Sequence, residues 1–372
     1  DGTVSITTLG AEDGQTVTIT LNSATYTAIV SSNSATVTIP TAGLQALTDG
    51  NTYSLTADVS DLAANAATQV TSSSFSVDTS LPTIITIATS AFSWGSSLNA
   101  IEDNSDGTVT VTTSGAEDGQ TVTITLNSAT YTAIVSSNSA TVTITAAGLQ
   151  ALTDGNTYSL TADVSDVAGN AATQVTSSSF LYDISPPIIV ISVKEGSNAI
   201  SDGDYINNES VTITFTGSEA ITNFIIGDIL TTGGVLSNFI KSTDTIYTAS
   251  FTHTGTSVTI DIDANSFSDL AGNENTQAAS QFEWTFDNIQ PTISITAVNG
   301  SDEVFSGAST NDNTLALSFT VSEATTNFGV GDISVVGGTI SNFAASSTTI
   351  YTAILTPTAE GTLTIDVAAT SF

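Results

Sequence analysis

The chain has 372 residues and a very uneven charge: 36 acidic residues stand against two lysines and no arginine, for a formal net charge of −34. Such a surface is repelled by DNA, RNA and anionic membranes, so neither nucleic-acid binding nor direct membrane insertion is expected. The chain has no cysteine, which excludes disulfides, thiolate metal sites and a thiol nucleophile.

The most informative feature is an internal repeat. Residues 1–78 recur at 106–183 with nine differences, so 69 of 78 positions are identical. Residues 186–289 and 290–372 form a second subtype, in which Glu219 matches Glu323 and Tyr247 matches Tyr351. Copies in series are typical of proteins that use repeats for length or stiffness, and they are rare in enzymes.

Short proline-containing segments separate the repeats. An aspartate stands a few residues before proline at 78–82, 183–187 and 287–291, and a β-branched run follows each time. These boundaries predict four domains, at 1–80, 81–185, 186–289 and 290–372. The first is expected to lack its first strand. The fourth is expected to lack its last, because Phe372 aligns with Phe267.

Within one repeat the hydrophobic period is two. Apolar and hydroxyl residues alternate at 108–112, 120–126 and 131–135, turn residues separate them, and one helical turn is predicted at 147–152. Seven short strands at this spacing predict an all-β fold of tandem immunoglobulin-like antiparallel β-sandwiches. The two- to three-residue linkers predict an extended rod. Tyr158 and Tyr53 stand where a tyrosine corner is expected.

Acidic residues recur where one sandwich meets the next. In such a fold the B–C and F–G loops lie at the end where the preceding chain enters, so an aspartate leaving one domain faces the loops of the next. Carboxylate and carbonyl oxygens are ligands that Ca²⁺ prefers, whereas Mg²⁺ tends to keep its waters. The sequence therefore predicts Ca²⁺ at the junctions, although the same residues are also common in solvated turns. The candidate ligands are Asp78, Glu117, Asp118, Asp166 and Asn170 at the first junction, Asp183, Glu219, Asp269 and Asn273 at the second, and Asp287 and Glu323 at the third.

Other polar and aromatic residues receive simpler interpretations. Residues 102–106 (EDNSD) are either a second cation site or a solvated turn, and Asp154-Gly155 is read as a turn only. His253, the one histidine, is expected on the surface, because no triad partners repeat with it. Trp94 and Trp284 are expected to fill a core or a junction. No constellation for catalysis emerges, so an enzyme is not expected.

Three motifs carry a family resemblance: DVAGN at 166–170, DLAGN at 269–273 and VDTSLP at 77–82. With them the whole chain resembles tandem bacterial Ig-like domains of giant extracellular adhesins, of the biofilm-associated and RTX-adhesin kind. The resemblance implies a secreted or cell-surface extender with calcium held at its domain junctions. The first repeat departs from the pattern at Ala64, where the others have glycine, so this loop is either strained or rearranged.

The leading hypothesis is a structural extender segment of a long adhesin or filament. Its partners would be neighbouring domains of the same chain and other copies in a fibre or matrix. One alternative is a binding module for a glycan or protein ligand. Another is a subunit of a strand-exchanged fibre, which incomplete end domains would suit.

Overall fold

The computed structural model describes residues 1–370, so Phe372 and its alignment with Phe267 lie outside the described residues. The fold is about 48% strand and 6% helix, which confirms the all-β prediction. The chain forms two compact units. One comprises residues 1–200, 211–252 and 259–282, and the other comprises 201–210, 253–258 and the residues from 283 onwards. Within the described residues no helix is long and apolar enough to span a membrane.

The first sandwich lies in the first unit and contains one short helix. Its elements are β1 (Gly2–Thr7), β2 (Thr16–Leu21), β3 (Ala24–Ile29), β4 (Ser34–Ile39), α1 (Thr41–Gln45), β5 (Thr52–Tyr53), β6 (Thr56–Asp58), β7 (Val70–Thr71) and β8 (Phe75–Ser76). The four-stranded sheet has the order β3-β2-β6-β7, and β1 pairs with β4 and β5 with β8.

The second sandwich, also in the first unit, repeats this plan with additional strands. Its elements are β9 (Thr83–Ile84), β10 (Ser97–Leu98), β11 (Gly107–Ser114), β12 (Thr121–Leu126), β13 (Ala129–Ile134), β14 (Ser139–Ile144), α2 (Ala146–Leu149), β15 (Asn156–Tyr158), β16 (Thr161–Asp163), β17 (Val175–Thr176) and β18 (Phe180–Tyr182). The sheet orders are β14-β11-β9, β13-β12-β16-β17 and β10-β18-β15.

The third sandwich comprises the strands at residues 189–286. Its strands are β19 (Ile189–Glu195), β20 (Asn198–Ile200), β21 (Tyr205–Ile206), β22 (Ser210–Gly217), β23 (Ile221–Thr222), β24 (Ile229–Thr232), β25 (Gly234–Lys241), β26 (Ile246–His253), β27 (Ser257–Ile262), β28 (Ser268–Asp269) and β29 (Phe282–Phe286). In the first unit, a five-stranded sheet runs β20-β19-β22-β26-β25, and β23 pairs with β28 and β24 with β27. In the second unit, β21 and β29 pair in parallel.

The fourth sandwich lies in the second unit. Its strands are β30 (Ile293–Asn299), β31 (Asp302–Glu303), β32 (Leu315–Val321), β33 (Ile333–Val336), β34 (Gly338–Ala345), β35 (Ile350–Pro357) and β36 (Thr364–Val367). A five-stranded sheet runs β31-β30-β32-β35-β34, and β33 pairs with β36. Short 3₁₀ turns at 89–91, 102–104, 226–228 and 330–332 complete the regular structure of the described residues.

The alternating sequence pattern builds the cores. In the second sandwich, β12 and β14 bury their apolar residues and leave their hydroxyl residues wholly or partly exposed, whereas Ile134 of β13 is exposed. Trp94 is buried in this core, stacked on Phe92 at 5.2 Å and edge-on to Phe180 at 5.3 Å. Trp94 is therefore a core residue, as expected.

The tyrosine corner is present in both near-identical copies. The main-chain N–H of Thr153 donates to the hydroxyl of Tyr158 at 2.8 Å, and Thr48 donates to Tyr53 at the same distance. These donated hydrogen bonds hold the pKa of both tyrosines below the usual value. The corner ties the chain that enters β15 to the short helical segment before it.

Ala64 resolves the question raised by the first repeat. Its φ is 67°, beside 90° for Gly169 and 95° for Gly272 at the same loop position. The loop keeps its hydrogen bonds, since the N–H of Asn65 still donates to the Asp61 carboxylate at 2.8 Å. The loop is therefore strained rather than rearranged, because alanine disfavours the left-handed region.

Candidate metal centre

Three carboxylates converge where the second sandwich meets the third. Asp183, Glu219 and Asp269 each offer an oxygen within 4.8 Å of the other two. Within residues 1–370 this is the one place where three such groups meet, and all three belong to the first unit. One carboxylate comes from the second sandwich and two come from the third.

Strand pairing explains the convergence. Asp183 directly follows β18, and its N–H donates to the Leu98 carbonyl at 3.0 Å, which anchors the exit of the second sandwich. Glu219 lies between β22 and β23. Because β23 pairs with β28 in a register that sets Ile221 opposite Asp269, Glu219 is brought beside that aspartate.

The DLAGN loop holds Asp269 in a single orientation. Its carboxylate accepts the N–H of Gly272 at 2.7 Å, the N–H of Asn273 at 2.8 Å and the side-chain amide of Asn273 at 2.8 Å. The Asn273 side-chain oxygen accepts the N–H of Ala100 at 2.9 Å. Asn273 was predicted as a ligand, but with its oxygen already engaged we assign it a positioning role.

The charges of the three carboxylates are not balanced within the cluster. Burial, followed by the neighbouring charges of Asp183, Asp269 and Asp154, raises the pKa of Glu219 to about 7. Burial also raises the pKa of Asp183, with smaller contributions from Asp269 and Asp154. An all-oxygen set with excess negative charge, and no sulfur or imidazole among its members, fits a hard divalent cation.

The first junction repeats part of this arrangement. The side-chain amide of Asn170 donates to the Asp166 carboxylate at 2.8 Å and to the main-chain carbonyl of Asp78 at 3.1 Å. Asp78 and Glu117 line one crevice of about 640 Å³. The Glu117 carboxylate, however, accepts the N–H of Val167 at 2.9 Å. Asp78, Glu117 and Asp166 therefore do not form a cluster of three within 4.8 Å in the described chain.

Asp118 makes a hydrogen bond within its own sandwich. Its carboxylate accepts the N–H of Ser137 at 2.7 Å and so stabilises the turn between β13 and β14. The near-copy does the same, since Asp13 accepts from Ser32 at 2.7 Å. The aspartate of the AEDG motif thus stabilises a turn, and the preceding glutamate lines the junction crevice. The assignment of Asp118 as a Ca²⁺ ligand stays a prediction.

The two third-junction candidates lie in the second unit. The Asp287 carboxylate accepts the N–H of Ile289 at 3.0 Å, much as Asp183 accepts from Ser185 at 3.2 Å. One oxygen of Glu323 is buried without a hydrogen-bond partner.

Asp154 stands in a turn, as predicted from Asp154-Gly155, and it also binds the linker that follows the second sandwich. Its carboxylate accepts the N–H of Ile184 at 2.8 Å and the hydroxyl of Ser185 at 2.6 Å. The Ser185 hydroxyl is the main reason that the pKa of Asp154 is lowered. Asp49 binds the first linker in the same way, because its carboxylate accepts the N–H of Thr79 and the hydroxyl of Ser80. This role could have been predicted from the sequence, because both near-copies have an Asp-Gly pair followed about 30 residues later by a serine in the linker.

The segment at 102–106 combines a buried aspartate with exposed turn residues. Asp103 is buried and accepts the hydroxyl of Tyr182 at 2.8 Å. Burial and this carboxylate raise the pKa of Tyr182. Asp106 accepts the N–H of Ala146 at 2.9 Å. Both bonds fasten the connection to the second sandwich.

His253 is not a plain surface residue, contrary to expectation. Its ring stacks on Phe286 with centroids 4.2 Å apart, and its Nδ1 lies 3.0 Å from the Glu209 carbonyl. The indole N–H of Trp284 donates to its Nε2 at 2.8 Å. These four residues belong to the second unit. Their packing is structural, and Trp284 is buried as expected.

Comparison with known families identifies the class of protein. The model of the bacterial Ig-like domain matches residues 186–286 and 287–372, together half of the chain. The chain therefore belongs to the bacterial Ig-like domain family, as its motifs predicted. No curated protein sequence matches it.

Several solved structures are similar over much of the chain. One is described as a Ca²⁺-stabilised adhesin that helps an Antarctic bacterium reach out and bind ice. It is 22% identical, covers 95% of this chain and 85% of its own, and has a TM-score of 0.40. A second belongs to a 1.5-MDa bacterial ice-binding adhesin, at 23% identity, coverages of 76% and 90%, and a TM-score of 0.38. Invasin, a bacterial integrin-binding protein, is 14% identical, with coverages of 100% and 73% and a TM-score of 0.37.

Proposed function

We propose that this chain is an extender segment of an extracellular bacterial adhesin, in which Ca²⁺ at a domain junction fixes one sandwich against the next. The observation that carries the proposal is the convergence of Asp183, Glu219 and Asp269 from two successive sandwiches. Serial near-copies of a family fold and short linkers support a role in reach rather than in chemistry.

The donor set favours calcium over other cations. Ca²⁺ takes six to eight oxygens in flexible geometry, so it tolerates carboxylates supplied by separate sandwiches. Mg²⁺ demands near-ideal octahedral geometry and keeps several waters. Zn²⁺ prefers sulfur or imidazole ligands, and the chain has no cysteine and one histidine. When bound, the ion supplies the positive charge that the cluster lacks.

The expected consequence is a junction whose stability depends on the calcium concentration of the medium. A cation that binds only the folded junction stabilises it by RT ln(1 + [L]/Kd), about 2.7 kcal/mol at 100-fold saturation. Extracellular calcium modules have Kd values on the order of 10⁻⁴ to 10⁻³ M. A site of that affinity fills outside the cell, where calcium is abundant, so the folded junction would become more stable after export.

The test is a calcium titration of the full chain by calorimetry and thermal unfolding, with Asp118→Asn as the control variant. Ca²⁺ should raise the melting temperature, and EDTA should reverse the change. Glu219→Gln should remove part of the gain. Asp118→Asn should keep all of it, because Asp118 is engaged with Ser137. A wild-type chain whose melting is insensitive to Ca²⁺ would contradict the proposal.

A further inference from the structure

Three hydrogen bonds cross from the second sandwich to the third without involving a carboxylate. The Asn273 side-chain amide donates to the Asp183 carbonyl at 2.8 Å, and the N–H of Ala100 donates to the Asn273 side-chain oxygen at 2.9 Å. The Asn99 side-chain amide donates to the Ala271 carbonyl at 3.0 Å. We call these five residues the junction clasp.

The clasp is held firmly on its third-sandwich side. Asn273 is only 3% exposed and Ala271 is 9% exposed. The Asn273 amide is shared between the Asp183 carbonyl and the Asp269 carboxylate, and its oxygen meets Ala100. Each polar atom of the buried Asn273 side chain thus has a hydrogen-bond partner. A change of rotamer would break these hydrogen bonds, so the side chain is held in one orientation.

The second-sandwich side is equally ordered. The Asn99 side-chain oxygen accepts the N–H groups of Ile101 and Glu102, each at 3.0 Å. The Glu102 carboxylate accepts the N–H of Asn99 at 3.1 Å. This turn fixes Asn99 so that its amide is directed at the third sandwich, and it accounts for the polar sequence at 99–104.

We propose that the junction clasp couples the second and third sandwiches without a cation, and that Asn99 and Asn273 are the residues that fix their relative orientation. This goes beyond the proposed function, because the coupling persists when the metal is removed. Two chain segments of the second sandwich, at 99–100 and at 183, hold the same loop. Two separate attachments oppose rotation of one sandwich relative to the other, whereas a single attachment would allow that rotation and act as a hinge.

The other two copies of the loop supply internal comparisons. Asn170 makes the corresponding bond to Asp78 across the first junction. Asn65 bonds to Asp61 within its own loop. Asn65→Ala therefore reports what the loss of the asparagine costs the loop itself. Any effect of Asn273→Ala that is larger than the effect of Asn65→Ala is then due to the loss of the hydrogen bonds across the junction.

The test is a distance measurement between spin labels in the full chain. Because the sequence has no cysteine, Thr132→Cys and Thr212→Cys give one exposed label on each side of the junction. In EDTA, the otherwise unchanged chain should keep a narrow distance distribution. Asn99→Ala and Asn273→Ala should each broaden it, and Asn65→Ala should leave it narrow. If the distance distribution of the otherwise unchanged chain in EDTA is as broad as that of the Asn273→Ala variant, the clasp is refuted.

A second measurement covers the case in which Asn273→Ala perturbs its own loop. The Asn99 side chain lies outside the third sandwich, so Asn99→Ala leaves the DLAGN loop intact. This variant loses the bond to Ala271 and the two turn bonds from Ile101 and Glu102. Amide exchange at Ala100 in EDTA should therefore become at least about fivefold faster. Unchanged exchange and an unchanged distance distribution would overturn the clasp.

A calcium titration of the same samples separates the two proposals. If the chain binds no Ca²⁺ but its label distance distribution stays narrow in EDTA, the result supports the clasp and refutes the metal site. If the chain binds Ca²⁺ but its label distance distribution becomes fully broad in EDTA, the result supports the metal site and refutes the clasp.

Discussion

The side-chain amide of Asn273 donates a 2.8 Å hydrogen bond to the main-chain carbonyl of Asp183. The same amide holds the carboxylate of Asp269. One residue therefore links the exit of the second sandwich to the loop that positions a candidate ligand of the third. The same side chain therefore contacts both the exit of the second sandwich and the candidate cation site.

Ala64→Gly should stabilise the first sandwich. Ala64 has φ of 67°, and a non-glycine residue in the left-handed region carries a penalty of about 1 kcal/mol or more. Glycine removes that strain, although it also makes the unfolded chain more flexible. We expect a net gain of about 0.5–1 kcal/mol in urea unfolding.

The matched control for that substitution is Gly169→Ala in the second sandwich. Gly169 has φ of 90°, and a Cβ there meets no atom within 4 Å. The expected loss is therefore due to backbone strain and not to a clash. If both substitutions shift stability in the same direction, the strain account is wrong.

Glu219 should make the cation-free chain less stable at higher pH. Its pKa rises from 4.5 to about 7 on folding. Stability from this group is fully present below pH 4.5, where both states are protonated, and is lost as pH rises through about 7. Melting in EDTA from pH 5 to pH 8 measures it, and Glu219→Gln should flatten that part of the profile.

Calcium affinity should change with pH in the opposite sense. Ca²⁺ has to displace the Glu219 proton, so the apparent affinity should rise by up to about tenfold per pH unit below pH 7 and then level off. Titrations at pH 6, 7 and 8 test this expectation. An affinity that is constant across this range would show that Glu219 is not a ligand.

Tyr158→Phe should destabilise the second sandwich by about 1 kcal/mol, because the N–H of Thr153 loses its acceptor. Tyr53→Phe removes the same 2.8 Å bond in the near-copy, from Thr48. Equal losses in thermal unfolding are expected. A much smaller effect in both would mean that the tyrosine ring alone stabilises the corner.

Asp154→Ala should loosen the second linker. The variant removes the acceptor of both the Ile184 N–H and the Ser185 hydroxyl. Hydrogen exchange at Ile184 should become about tenfold faster. Asp49→Ala should do the same at Thr79 in the first linker, and each variant should leave the other linker unchanged.

The sequence predicted the fold because its signals are local. Alternation along β12 and β14 set which residues are buried, and the repeat set the number of copies. The tyrosine corner followed from spacing alone. In each case a short stretch of chain carries its own information, and the other copies repeat it.

The site was predicted less completely, because it depends on which donor each side chain meets. Asp118 and Glu117 are adjacent, yet one bonds Ser137 and the other Val167. No spacing rule separates those outcomes. The role of Asn99 was missed because its partner Ala271 is 172 residues away. Only the relative placement of two sandwiches shows that contact.

The most direct test of the central claim is a calorimetric calcium titration of wild type beside Glu219→Gln at pH 7.5. Glu219 touches the cluster and, in the described chain, its side chain holds no loop hydrogen bond, so the variant removes a ligand without removing a structural contact. We predict that the wild type binds with Kd on the order of 10⁻⁴ to 10⁻³ M at this junction. The variant should lose that component of the isotherm. Identical isotherms for the two chains would contradict the assignment of Ca²⁺ to Asp183, Glu219 and Asp269.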